Sequence, residues 1–279
     1  MTQLLQPTRY SLADDGAPSG TRRYPDSGRF VWHDLMTTDV RRAVHYYGAL
    51  LGWTIELVDV GPMGSYTMVR AGDTEIGGMV QLDPAQGITS HWLSYLAVDD
   101  VDAACALAPE AGGQVAYPPT DLPEVGRFAV LEDASGALWS PLRMLEPAPA
   151  PAWPIPTGHF CWEELVTPNV LSATAFYADV VGWGVRGREL AQAEPYWLWT
   201  NGGGHAGASM MAMPAAADAQ PFWLPYVLVD DVRLAAASVA RLGGTVVRPP
   251  DDVPEVGTFT VTRDPMGAPL ALICLADGE

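Results

Sequence analysis

One segment of this chain occurs twice. GRFVWHDLMTTDVRRAVHYYGALLGW, from Gly28, returns 130 residues later as GHFCWEELVTPNVLSATAFYADVVGW, from Gly158. Phe30 aligns with Phe160, Trp32 with Trp162, Asp34 with Glu164, Tyr47 with Tyr177 and Trp53 with Trp183. Downstream the offset becomes 131, pairing VDDV from Val98 with VDDV from Val229, and LPEVGRF from Leu122 with VPEVGTF from Val253. A repeat of this length means two copies of a whole domain rather than a solenoid of short units. The expected organisation is an N-terminal arm over 1–28, a first domain over 29–145, a Pro/Ala-rich linker over 146–157 and a second domain over 158–279. The linker, EPAPAPAWPIPT, can continue neither a helix nor a central strand.

Within each copy the pattern predicts a strand (FVWHDL or FCWEEL), a capped helix ended by glycine, and short glycine-punctuated strands. A further strand (HWLSYLAV or FWLPYVLV), a helix opened by an Asp-Asp pair and more strands complete the copy. The chain thus reads as four βαβββ units, an α+β architecture.

Composition excludes several classes of function. Fifteen Lys and Arg against 33 Asp and Glu leave a net charge of −18, which repels phosphate backbones and anionic headgroups, so neither nucleic acid nor a membrane is an expected partner. No run of about eighteen apolar residues suggests a membrane span. Cys105, Cys161 and Cys274 are too scattered for a disulfide scaffold or a zinc ribbon and fit a reducing, cytoplasmic setting. No GxGxxG, GxxxxGK[ST] or GxSxG motif is present in a suitable context.

The four-unit organisation, with DLMTTDVRRAVHYYGALLGW and RDPMGAPLAL, resembles the vicinal-oxygen-chelate superfamily of glyoxalases, bleomycin-resistance proteins and extradiol dioxygenases. The resemblance implies that each pair of units forms one curled sheet around a cavity, which commonly holds a divalent metal. Its ligand positions fall here on Trp32, Leu93 and Ser140 in the first copy and on Trp162, Leu224 and Ala271 in the second. None of these suits a hard cation, so no metal and no cofactor are expected. The five histidines read as ordinary surface or edge residues, the alternative being an unconventional site built on His33 and a carboxylate.

The candidate chemistry rests on residues that repeat. Asp34 and Glu164 lie two positions after the tryptophan, on the strand face where the family keeps its metal ligand, and a carboxyl in an apolar cavity suits proton transfer or the binding of a cationic group. The alternative is a structural acid paired with an arginine such as Arg143. Tyr95 and Tyr226 fall on the same side as Leu93 and Leu224, where a phenol can hydrogen-bond a ligand; core packing is the other reading. Trp32, Tyr66 and Met79 in the first copy, and Trp162, Tyr196, Trp197, Trp199 and Met210 in the second, are expected to line an adaptable apolar pocket.

Three functions follow from this reading. The first is metal-independent binding of a small aromatic or natural-product-like molecule, as in sequestration or resistance. A cofactor-free isomerase, cyclase or lyase using a pocket carboxylate is the second, and a metal enzyme with relocated ligands the third. The partner in every case is a small molecule, and the tandem copies could suffice as a monomer.

Overall fold

The computed structural model describes residues 26–60, 64–149, 152–188, 196–201, 205–213, 220–254 and 256–276. The expected N-terminal arm lies outside the described residues up to residue 25. Where description begins, Asp26 is buried, pairs with Arg29 at 3.0 Å and accepts the backbone N–H of Ala148 at 2.8 Å.

The first half runs β1 (Phe30–Thr37), α1 (Val40–Leu51), β2 (Thr54–Asp59), β3 (Ser65–Ala71), β4 (Thr74–Gln81), β5 (His91–Ala97), α2 (Val101–Glu110), β6 (Gln114–Leu122), β7 (Gly126–Glu132) and β8 (Leu138–Met144). The second repeats it as β9 (Phe160–Thr167), α3 (Val170–Val181), β10 (Gly184–Arg188), β11 (Tyr196–Thr200), β12 (His205–Ala212), β13 (Phe222–Leu228), α4 (Val232–Arg241), β14 (Thr245–Val253), β15 (Gly257–Arg263) and β16 (Pro269–Leu275). Each half forms its own eight-stranded mixed sheet, ordered β2-β3-β4-β1-β5-β8-β7-β6 and β10-β11-β12-β9-β13-β16-β15-β14. The strands do not interleave between the sheets. Pro118 and Pro119 sit in β6, an edge strand, where a missing N–H breaks no central ladder.

Local sequence sets the helix boundaries. Asp39, Asp100, Asn169 and Asp231 cap the four helices by accepting first-turn N–H groups, and Gly52 and Gly182 end α1 and α3 in the left-handed region.

The hydrophobic cores cross the boundary between the halves. One cluster joins Leu96, Leu131, Trp139 and the apolar side of α2 to Phe176, Tyr177, Trp183 and Trp223 of the second half. Another joins Leu35, Tyr47, Trp53 and Trp92 to Val232, Val239, Leu270 and Leu272. Two reciprocal bonds reinforce this exchange: Tyr47 donates to Asp264 Oδ2 at 3.1 Å and Tyr177 to Asp133 Oδ2 at 3.3 Å. Both acids also hold the turn before their own half's last strand by accepting backbone N–H groups through Oδ1.

Each sheet therefore has a helix-covered face turned to the other half and, among the described residues, a face free of helices. A register shift between Phe30 and Trp32, matched in the second half between Tyr226 and Val227 opposite β9, separates neighbouring aromatics. Phe30 and Phe160 pack into the shared cores, while Trp32 and Trp162 join clusters on the helix-free faces.

Candidate functional site

The two central strands of each sheet bring the acid and the phenol together. Antiparallel pairing of β1 with β5 sets Trp32 opposite Tyr95 and Asp34 opposite Leu93; β9 and β13 repeat this with Trp162, Tyr226, Glu164 and Leu224. In the first half Tyr95 donates to Asp34 Oδ2 at 2.8 Å, and Tyr66 donates to Oδ1. The Trp32 indole N–H lies 3.1 Å from Asp34 Oδ1 and 3.0 Å from the Tyr66 hydroxyl. Tyr66 reaches Asp34 from β3 by crossing β4 at Gly78, where any β-carbon would collide with its phenol.

In the second half Tyr226 donates to Glu164 Oε2 at 2.8 Å. Ser209 replaces Gly78 at the matching position, accepts from the Trp162 indole at 2.8 Å and reaches Glu164 Oε1 at 3.4 Å. Both acids thus pair with phenols and neutral donors, and Arg143 hydrogen-bonds neither.

Around each acid the face is apolar: Leu93, Leu142, Met36, Phe128 and Val130 in the first half, Leu198, Leu224, Ile273, Phe259 and Val261 in the second. Burial raises the pKa of Asp34 against the opposing pull of its bonds to Tyr66, Tyr95 and Trp32, and it raises that of Glu164 against Tyr226 and Ser209. Tyr95 and Tyr226 are pushed well above the phenol range, first by burial and then by the neighbouring carboxylate. A cleft of about 400 Å³ opens beside Arg143 and Met144, and a counterpart of about 440 Å³ beside Cys274 and Leu275. Met144 and Leu275 also belong to the helix-free clusters, so each cleft adjoins the face that carries the acid.

Four of the residues expected in the pocket lie elsewhere. Met79 pairs with Leu35 and Met210 with Leu165, and both are buried in the shared cores. Trp199 is fully buried in the same core as Trp183, and Trp197 packs against that core. The reason is strand alternation: Tyr196 and Leu198 take the helix-free face, so Trp197 and Trp199 take the other.

His33 does meet a carboxylate, Glu163, a residue the sequence did not single out. His33 Nε2 lies 2.6 Å from Glu163 Oε1, Ser94 donates to Glu163 Oε2 at 2.9 Å, and the His33 ring stacks on Phe160 at 3.7 Å, all on the helix-covered side. His33 and Glu163 occupy the same position of the repeat. The available signal was a polar residue in both copies on a strand face otherwise apolar.

With this geometry in hand, comparison with known proteins identifies the class. Residues 29–140 and 158–272 match the model of the Glyoxalase/Bleomycin resistance protein/Dioxygenase superfamily, and the chain belongs to that superfamily. A Mycobacterium tuberculosis protein carrying the name glyoxylase CFP32 is 34% identical over 243 residues, covering 85% of this chain and 91% of that protein. The anthracycline biosynthesis protein DnrV of Streptomyces peucetius is 28% identical over 271 residues, covering 90% and 94%. Among solved structures, the Mn(II)-bound glyoxalase of Novosphingobium aromaticivorans shares the fold with a TM-score of 0.59 at 18% identity, over 89% of this chain and 82% of that one.

The superfamily resemblance implies a metal, and the first-half residues at its ligand positions do not fit one. Trp32 and Leu93 offer no lone pair, and the Ser140 hydroxyl is spent on the Ala129 carbonyl at 2.6 Å. Asp34 is ringed by N–H and O–H groups whose positive ends would face a cation. Among the described residues no three His, Cys, Asp or Glu side chains converge on a point, so the His33–Glu163 pair has no third ligand. Nor is any described helix long and apolar enough to cross a membrane.

Proposed function

We propose that the protein binds a small, aromatic or natural-product-like molecule on the helix-free faces of its sheets, without a metal or other cofactor. One observation carries this reading. In both halves a buried carboxyl, Asp34 or Glu164, stands amid apolar side chains at the centre of the sheet, held by a phenol and an indole-linked hydroxyl. Small-molecule sites are built this way, with apolar walls for affinity and a few placed polar groups for orientation. Trp32, Tyr66, Trp162 and Tyr196 supply the aromatic part of the wall, and the names of the relatives, a glyoxylase and proteins of anthracycline biosynthesis, agree with an organic ligand.

Native mass spectrometry of the protein as purified, combined with elemental analysis after dialysis against a chelator, tests the reading. The expected result is organic ligand binding that survives with no stoichiometric metal. About one equivalent of zinc, iron, manganese or nickel per chain after dialysis would overturn it.

The raised pKa of Asp34 beside the Tyr95 phenol favours a second reading, a cofactor-free isomerase, cyclase or lyase with Asp34 or Glu164 as general acid or base. Asp34→Asn and Glu164→Gln separate the two. Catalysis predicts a loss of turnover of roughly 100-fold or more, whereas binding alone predicts a change in affinity of ~1–3 kcal/mol with no turnover to lose.

A further inference from the structure

Resting on the binding reading above, we propose that the second half holds the ligand site and presents Glu164 to a protonated amine, while the first-half site is closed by the protein's own Tyr66. Gly78 and Ser209 hold the same position in β4 and β12, opposite Asp34 and Glu164. Because residue 78 has no side chain, the Tyr66 phenol lies across β4 and bridges Trp32 to Asp34. The Asp34 carboxylate then accepts from Trp32 and Tyr66 through Oδ1 and from Tyr95 through Oδ2. The Trp32 N–H and the Tyr66 and Tyr95 hydroxyls are spent on that ring. A ligand entering there must first displace Tyr66.

Ser209 removes this arrangement from the second half, since its side chain stands where the phenol crosses in the first. Glu164 is left with two hydroxyl donors, Tyr226 at 2.8 Å and Ser209 at 3.4 Å, the latter at the long limit of a hydrogen bond. A carboxylate accepts about four hydrogen bonds, and Glu164 is only 7% exposed, so water cannot readily make up the difference. Burying an ionised carboxylate with too few partners is costly, and a cation delivered to it restores the balance.

The protein cation that acts on Glu164 is Arg248, whose charge reaches it through space. Its guanidinium pairs with Asp251 at 2.5 Å and lies 4.6 Å from the centroid of the Phe259 ring, so it does not fill the carboxylate's hydrogen-bonding capacity. The walls, Leu198, Leu224, Ile273 and Phe259, suit an aromatic body, and a net charge of −18 draws cationic ligands toward the protein. These features together select a flat apolar molecule carrying an ammonium group.

The test uses a matched pair of probes, 6-bromo-2-naphthylmethylamine, charged at pH 7, and the neutral 6-bromo-2-naphthalenemethanol, titrated calorimetrically into the full chain. The expected result is a single equivalent of amine, bound at least about 10-fold more tightly than the alcohol. Glu164→Gln abolishes that preference by weakening the amine far more than the alcohol, and Tyr66→Ala admits a second equivalent. If Glu164→Gln fails to fold, the bromine anomalous signal from wild-type crystals soaked with the amine decides alone, by marking one half or the other. Amine seated at Asp34, a preference that survives Glu164→Gln, or equal affinity for both probes overturns this inference and leaves the binding reading standing. Failure of both probes to bind overturns both.

Discussion

Asp34 and Glu164 each combine a charge-bearing group with nearly complete burial, and that combination has a consequence for pH. Burial raises both pKa values above their ordinary 3.8 and 4.5, and Asp133 and Asp264 are raised from 3.8 by the same cause. A carboxyl whose folded pKa exceeds its unfolded one binds more protons when folded, so stability falls as pH rises. The contribution is complete below about pH 4 and is lost as pH climbs through the folded values. Asp34→Asn removes one such group, so its melting temperature should decline less than that of the wild type between pH 4 and pH 8; parallel curves would show that Asp34 is not held this way. The repeat made these acids legible as a pair. Their partners were legible only in part, because Tyr66 reaches Asp34 through a gap at Gly78 that sequence spacing does not display. Met79, Met210, Trp197 and Trp199 fall outside the expected pocket for a simpler reason: side chains alternate between the faces of a strand, and these take the core side.

Helices and strands follow local rules closely, and the helix caps show how strongly. Asp100 accepts from the Ala103 N–H at 3.0 Å and Asn169 from the Ser172 N–H at 3.0 Å. Asp100→Ala and Asn169→Ala should each lower stability by about 1 kcal/mol in chemical denaturation, whereas Asn169→Asp should be close to neutral. Both caps were readable from sequence because a cap needs only its own helix's first turn. The register shift between Phe30 and Trp32 was not readable, since a bulge is decided by what two strands must reach on opposite sides. Here it sends Phe30 toward Trp183 and Trp223 of the other half, with centroids 5.9 and 5.0 Å away, and leaves Trp32 on its own sheet.

At the scale of the whole molecule the two halves are joined through their helix-covered faces, and His33 with Glu163 lies at that junction. Because the two residues are repeat equivalents, their contact places them beside the pseudo-symmetry axis relating the halves. Glu163→Ala strips both His33 and Ser94 of their buried partner and should cost about 3–5 kcal/mol, while the double replacement His33→Leu with Glu163→Leu should cost much less. Additive losses in a double-mutant cycle would refute the coupling. Shared cores also predict that tryptophan fluorescence and far-ultraviolet dichroism report one unfolding transition for both halves.

The duplication, the four βαβββ units and the helix limits follow from the sequence by itself, because each depends on residue identity or on contacts within a turn or two. Tertiary structure alone decided which neighbour each side chain meets: Tyr66 over Gly78, Ser209 under Glu164, His33 against Glu163, and aromatic residues of one half inside the core of the other. Those contacts join residues from 12 positions apart, as in Tyr66 and Gly78, to 193, as in Phe30 and Trp223, and are selected by the exclusion of water from the faces of the two sheets, a condition that exists only once the whole chain has folded.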